Sequence, residues 1–125
     1  MKRMIPVLLA LLLLTGCGGG EGTASYRQIS QEEAKEMMDT QEVIILDVRE
    51  QDEYDSGHIP GAVLLPVGTI DEDTAVAVIP AKDATVLVYC RSGNRSKTAS
   101  SALAELGYTN VYEFGGIKTW PYETE

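Results

Sequence analysis

Apolar and polar residues change period along the chain, and each change marks an element. Ser30 followed by Glu33 has the form of a capping box and predicts a helix running to about Asp39. Val43-Ile44-Ile45-Leu46 is then a continuous apolar run, as are Ala62 to Leu65 and Thr85 to Tyr89. Short runs without alternation predict strands buried on both faces of a sheet. A weaker helical pattern covers Asp71 to Val78 and ends before Pro80. After the third run, Ala99, Ala102, Leu103 and Leu106 recur at helical spacing, giving one apolar face that stops at Gly107. Val111 to Glu113 predicts a last short strand. Strand and helix periods in alternation imply an α/β fold with a parallel sheet, whose ligands bind beyond the carboxyl ends of the strands.

The N-terminus has a different pattern. Lys2 and Arg3 precede eleven almost unbroken apolar residues, Met4 to Leu14. A helical bilayer span needs ~20 residues, whereas a basic start and an apolar core of this length have the form of a secretory signal peptide. The run ends at Leu14-Thr15-Gly16-Cys17, which resembles the lipobox of bacterial lipoproteins. That resemblance implies cleavage before Cys17 and a diacylglycerol group on its sulfur. The mature protein is then expected to be lipid-anchored on the extracytoplasmic face of a cell membrane, periplasmic or extracellular. The competing reading, a core helix followed by a chance cysteine, conflicts with apolarity on every face of the run. Residues 17–25, rich in glycine, read as the lipidated cysteine and a flexible tether, and residues 26–125 as one domain.

Charge narrows the function. The 125 residues carry ten Lys and Arg against 19 Asp and Glu, a net charge of −9, which argues against a nucleic-acid partner or electrostatic binding to anionic lipid. One His and one cysteine besides Cys17 cannot build a zinc site. Gly18-Gly19-Gly20 follows no strand and leads to no Gly-Lys-Ser/Thr, so it is no phosphate loop. No metal and no cofactor are expected, and nothing calls for more than a monomer.

Against this acidic background one segment is cationic. Arg91, Arg95 and Lys97 fall within seven positions, with no acid between Asp83 and Glu105. They follow Cys90, which closes the apolar run at Tyr89 and opens the loop Arg91-Ser92-Gly93-Asn94-Arg95-Ser96 before a helix. Wrapped around the sulfur, such a loop points successive N–H groups inward, with the positive end of the helix dipole beneath them. Both features stabilise a thiolate and make it a nucleophile. Free cysteine is also often an inert buried hydrophobe at a strand end, a reading that the polar loop and helix start after Cys90 disfavour. In an exported protein a lone thiol has no internal disulfide partner.

These residues resemble the rhodanese-like sulfurtransferases. The resemblance rests on Leu46-Asp47-Val48-Arg49, on Glu53-Tyr54 leading to Gly57-His58-Ile59-Pro60-Gly61-Ala62, on Tyr89 to Ser96, and on Gly115-Gly116-Ile117 with Trp120. It implies a five-stranded, mostly parallel sheet with helices on both faces, and the four runs above plus a short strand near Gln28 and Ile29 agree with that number. It further implies that Cys90 takes a sulfane sulfur from an anionic donor such as thiosulfate, becomes a persulfide, and passes the sulfur to cyanide, a thiol or a partner protein's cysteine. The amides of Arg91, Ser92, Gly93, Asn94, Arg95 and Ser96 would cradle the outer sulfur. Arg95 would fix the loop's shape and attract the donor, and Arg91 would flank the entrance. Asp47 corresponds to an aspartate near the family's pocket, Arg49 is expected to pair with Glu53, and His58 to make a structural hydrogen bond. Gly115, Gly116 and Trp120 are expected to pack beside the pocket.

Two other classes stay in view. Cell-cycle dual-specificity phosphatases share this fold but place an arginine six positions after the cysteine, where this chain has Ser96. The shorter loop suits one sulfur atom better than a phosphoryl group. A non-catalytic binding or sulfur-carrier module is the other reading, and the presence of Cys90 weighs against it. Leu64 stands where the family pattern has asparagine, and residues 67–82 match nothing specific.

Overall fold

A computed structural model of the chain describes residues 25–125; the expected signal peptide, Cys17 and all of the expected tether but Ser25 lie outside these described residues. The elements run β1 (Arg27–Gln28), α1 (Gln31–Thr40), β2 (Ile44–Asp47), α2 (Gln51–Asp55), β3 (Val63–Leu64), α3 (Glu72–Val78), β4 (Thr85–Cys90), α4 (Asn94–Glu105) and β5 (Asn110–Gly116). Single 3-10 turns occupy Val67–Thr69 and Ile117–Thr119. The five strands lie in the order β1-β5-β4-β2-β3, and every pairing is parallel.

Each helix start is set by local chemistry. The Ser30 hydroxyl accepts the Glu33 N–H at 3.0 Å and the Glu33 carboxylate accepts the Ser30 N–H at 3.2 Å, which is the reciprocal capping box read from the sequence. Asp71 and Thr74 repeat the arrangement, so Asp71 caps α3 and the helical residues start one later than expected. Helix α2 was not foreseen. Its five residues are too few to show a 3.6-residue period, and what opens it is the Glu50 N–H donating to the Glu53 carboxylate at 3.0 Å. Strand β5 runs to Gly116, beyond the expected Glu113, because its pairing with β4 shifts register between Val88 and Cys90 and continues through the two glycines.

The central strand β4 shows why the runs are unbroken. Val86, Val88 and Cys90 face a core completed by Ala75 of α3 and by Ala99 and Leu103 of α4. Leu87 and Tyr89 face the opposite core, completed by Ala34 of α1, by Ile59 and Phe114, and by Trp120. With period-2 geometry and helices on both sides, neither set of side chains meets water. Leu64 is half-buried in the two-residue edge strand β3, and the predicted four-residue run shortens to this pair. Leu65, however, still donates its N–H to the Asp47 carbonyl at 2.8 Å. Strands β2 and β4 therefore deliver Asp47 and Cys90 to the same carboxyl edge of the sheet.

Candidate active site

Cys90 is the last residue of β4 and is 1% exposed. Gly93, with φ at 109°, turns the chain back over it in the left-handed region open to glycine, and α4 begins at the next residue. The Gly93 N–H donates to Sγ at 3.0 Å, and the Ser96 hydroxyl lies 3.4 Å from it. Burial pushes the thiol up. Hydrogen bonds from the Ser96 hydroxyl and from the N–H groups of Ser96, Gly93 and Ser92 outweigh that, and the Cys90 pKa falls below its ordinary value. The sulfur thus sits where the amides of a twelve-residue helix begin.

The end of β5 braces the loop from behind. A Cβ on Gly116 would stand 2.0 Å from the Arg91 carbonyl oxygen, so only glycine lets the two backbones meet. The same Arg91 carbonyl accepts the Lys118 N–H at 3.0 Å. Trp120 packs tilted against Phe114, with ring centroids 5.5 Å apart, and lines a separate cavity of about 220 Å³ with Lys35 and Tyr122. Its packing is therefore to the α1 side, whereas Gly116, at the end of β5, lies against the loop that follows Cys90.

The arginines divide differently from the expected pairing. Arg49 does not meet Glu53 in an ion pair; it reaches back to Asp47, with Nη2 at 2.7 Å and Nε at 2.9 Å from the carboxylate, and also donates to the Gly57 carbonyl. Glu53 is taken instead by Arg95, in a two-pronged pair at 2.7 and 2.9 Å. That bond holds the Glu53 carboxyl down at about 2. Arg95 is thereby committed to clamping the loop to α2, and its charge is largely matched rather than free to attract an anion. Arg91 and Lys97 are exposed and form no salt bridge among the described residues. Ser92 and Asn94 are also exposed in the loop.

Asp47 is fully buried and touches Arg49 and the Tyr89 hydroxyl, the latter at 2.6 Å. Tyr89 in turn accepts the Ile59 N–H at 3.1 Å. Burial and the Asp47 carboxylate push the Tyr89 hydroxyl's pKa up, so it remains a donor. This cluster fixes the residue next to Cys90, and Asp47 makes none of its hydrogen bonds to the sulfur. His58 stacks on Tyr54 at 3.9 Å, with Nδ1 2.9 Å from the Tyr54 carbonyl and Nε2 3.4 Å from the Glu125 carboxylate. Both ring nitrogens are engaged away from Cys90.

One residue of the site escaped the sequence reading. Glu113, 2% exposed on β5, accepts the Ser96 hydroxyl, the Gly115 N–H at 3.0 Å and the Gln28 side-chain amide at 3.3 Å. The available signal was an acid inside an otherwise apolar strand, between Val111 and Phe114. Among the described residues no group of acids, His and Cys could hold a metal ion.

Comparison with known proteins adds independent findings. Residues 30–122 match the family model of the rhodanese-like domain. The chain is 38% identical over 96 residues to thiosulfate sulfurtransferase GlpE of Coxiella burnetii, covering 76% of this chain and 87% of that protein. It is 42% identical over 73 residues to thiosulfate sulfurtransferase PspE of Escherichia coli, covering 58% and 69%. Among solved structures, a rhodanese with anions from E. coli superposes with a TM-score of 0.62 at 32% identity, over 67% of this chain and 98% of that one.

Proposed function

The chain belongs to the rhodanese-like domain family, and we infer that this sulfurtransferase loads a sulfane sulfur onto Cys90 from an anionic donor such as thiosulfate. The Cys90 thiolate attacks the donor's terminal sulfur; the new S–S bond forms as the donor's own S–S bond breaks, and sulfite leaves with the electron pair. A thiophilic acceptor, cyanide or a thiol, then attacks the outer sulfur, and the thiolate returns. One observation carries this reading: a buried sulfur with a lowered pKa, met by the Gly93 N–H at 3.0 Å at the start of α4. The same amides that favour the thiolate favour the persulfide anion one atom further out, so the loop serves both states. Arg91 and Lys97 supply the local positive charge that an acidic protein needs to admit a dianion.

The family's phosphatase relatives are disfavoured by Ser96, whose hydroxyl here bonds within the loop and to Glu113. The names of the GlpE and PspE relatives favour turnover over a purely binding role. Export and lipid anchoring through Cys17 complete the proposal and rest on Lys2, Arg3, the run Met4 to Leu14, and Leu14-Thr15-Gly16-Cys17. The enzymatic test is thiocyanate release from thiosulfate and cyanide by the full chain. Wild type should turn over and Cys90→Ser should not; equal rates would refute the reading. The anchor test is recovery in the membrane fraction, which Cys17→Ser should abolish.

A further inference from the structure

Glu113 is a buried carboxylate that sulfur transfer, as described above, does not use. It lies one hydroxyl away from the nucleophile. Cys90 Sγ is 3.4 Å from Ser96 Oγ, and Ser96 Oγ is bonded to Glu113 Oε2. The Gly115 N–H and the Gln28 amide hold the carboxylate in place.

Ser96 has a single proton. Four acceptors surround its oxygen: Glu113, the Gly93 carbonyl at 3.0 Å, the Gly115 carbonyl at 3.4 Å and Cys90 Sγ. A hydroxyl can donate to only one of them at a time. When it donates to an ionised Glu113, its lone pairs can accept the Cys90 S–H. If Cys90 were ionised with Glu113 still a carboxylate, two buried anions would compete for that proton. The Gly93 N–H holds the thiolate in either case, but two buried anions one hydroxyl apart repel each other, and a proton on Glu113 while the sulfur is anionic removes that repulsion.

We propose that Glu113 is a positioning residue that stores the Cys90 proton, exchanged through the Ser96 hydroxyl. The S–H bond breaks as an O–H bond forms on Ser96. The original Ser96 O–H bond breaks as one forms on Glu113 Oε2, and the electron pair stays on sulfur. Nothing is oxidised, and the site keeps one negative charge throughout. The consequence is specific to a dianionic donor: it meets a thiolate beside a neutral acid rather than two adjacent anions. The other charged group facing Glu113 is Lys97, which lines the same cavity of about 330 Å³ with Ser92 and Gly93; from β1 and α1 only the neutral Gln28 and Gln31 approach.

This inference rests on Cys90 being the nucleophile proposed above, but its test requires no sulfur donor. The rate of Cys90 alkylation by iodoacetamide, read on its own tryptic peptide from the full chain, is followed against pH. Two groups sharing one proton titrate in two macroscopic steps about one pH unit or more apart. Wild type should show two steps and Glu113→Gln one. Ser96→Ala, which strands the charge of Glu113 beside an uncoupled thiol, should show one step at higher pH than Glu113→Gln. Ser96→Thr, which keeps the hydroxyl, should restore two. A single wild-type step superimposing on that of Glu113→Gln would overturn the proposal and leave Glu113 as a loop brace. If Glu113→Gln does not fold, the number of steps in wild type and Ser96→Thr decides. Failure of this titration with thiocyanate release intact leaves sulfur transfer standing, and the converse leaves the proton store standing.

Discussion

At the scale of single residues, the site depends on which side chains own which charges. Cys90, the loop glycine Gly93 and the cationic neighbours were legible because their chemistry is local: a cysteine at a strand end, a residue that tolerates positive φ, and a helix start follow one another in the chain. Ion-pair partners were not. Arg49 and Glu53 are four residues apart and invited pairing, yet the fold buries Arg49 against Asp47 and sends Arg95 to Glu53 across 42 residues of sequence. Tertiary placement decides such choices, and no periodicity encodes it. The Asp47–Arg49 pair has side chains only 0% and 6% exposed, so removing one partner leaves a buried charge unmatched. Asp47→Ala should therefore cost about 3–5 kcal/mol of stability, read as a lower urea midpoint. Tyr89→Phe, which removes the hydrogen bond to the Asp47 carboxylate and the acceptor of the Ile59 N–H, should cost at least about 1.5–3 kcal/mol.

At the scale of elements, strands β2 to β5 and the helices α1, α3 and α4 followed from apolar runs, capping residues and helical spacing, whereas the two exposed polar residues of β1 were expected only through the family's strand count. Helix α2 did not, because five polar-rich residues carry no period, although Glu53 was already in view as part of a motif. That short helix is what the active loop is tied to. Glu53 sits at about 2 in the folded protein, against an ordinary value of 4.5, chiefly because it accepts two hydrogen bonds from Arg95. A depressed acid contributes stability that is fully present above its unfolded pKa and is lost as pH falls toward the folded one. The melting temperature of wild type should thus exceed that of Glu53→Gln above pH 4.5, and the difference should shrink as pH falls from 4.5 toward 2. A constant difference across that window would mean that the clamp is not charge-based.

At the scale of the whole molecule, a net charge of −9 coexists with one cationic mouth, and this contrast was readable from composition and spacing alone. Arg95 turns out to be spent on Glu53, which leaves Arg91 and Lys97 as the exposed cations proposed to guide a donor in. Long-range attraction between exposed charges is screened over about 8–10 Å at moderate ionic strength. The KM for thiosulfate should rise with added salt in wild type. Arg91→Ala with Lys97→Ala should raise it by about an order of magnitude at low salt and flatten that dependence, with kcat little changed. The short edge strands β1 and β3, two residues each, leave little open edge for unwanted pairing.

The claim on which the rest depends is that Cys90 itself carries the sulfur. It is tested by incubating the full chain with thiosulfate, desalting, and weighing it intact beside Cys90→Ser, before and after cyanide. The account predicts a gain of one sulfur atom on wild type alone, localised to the peptide containing Cys90 and removed by cyanide with release of thiocyanate. An unchanged wild-type mass with thiosulfate, or an equal gain on Cys90→Ser, would contradict it.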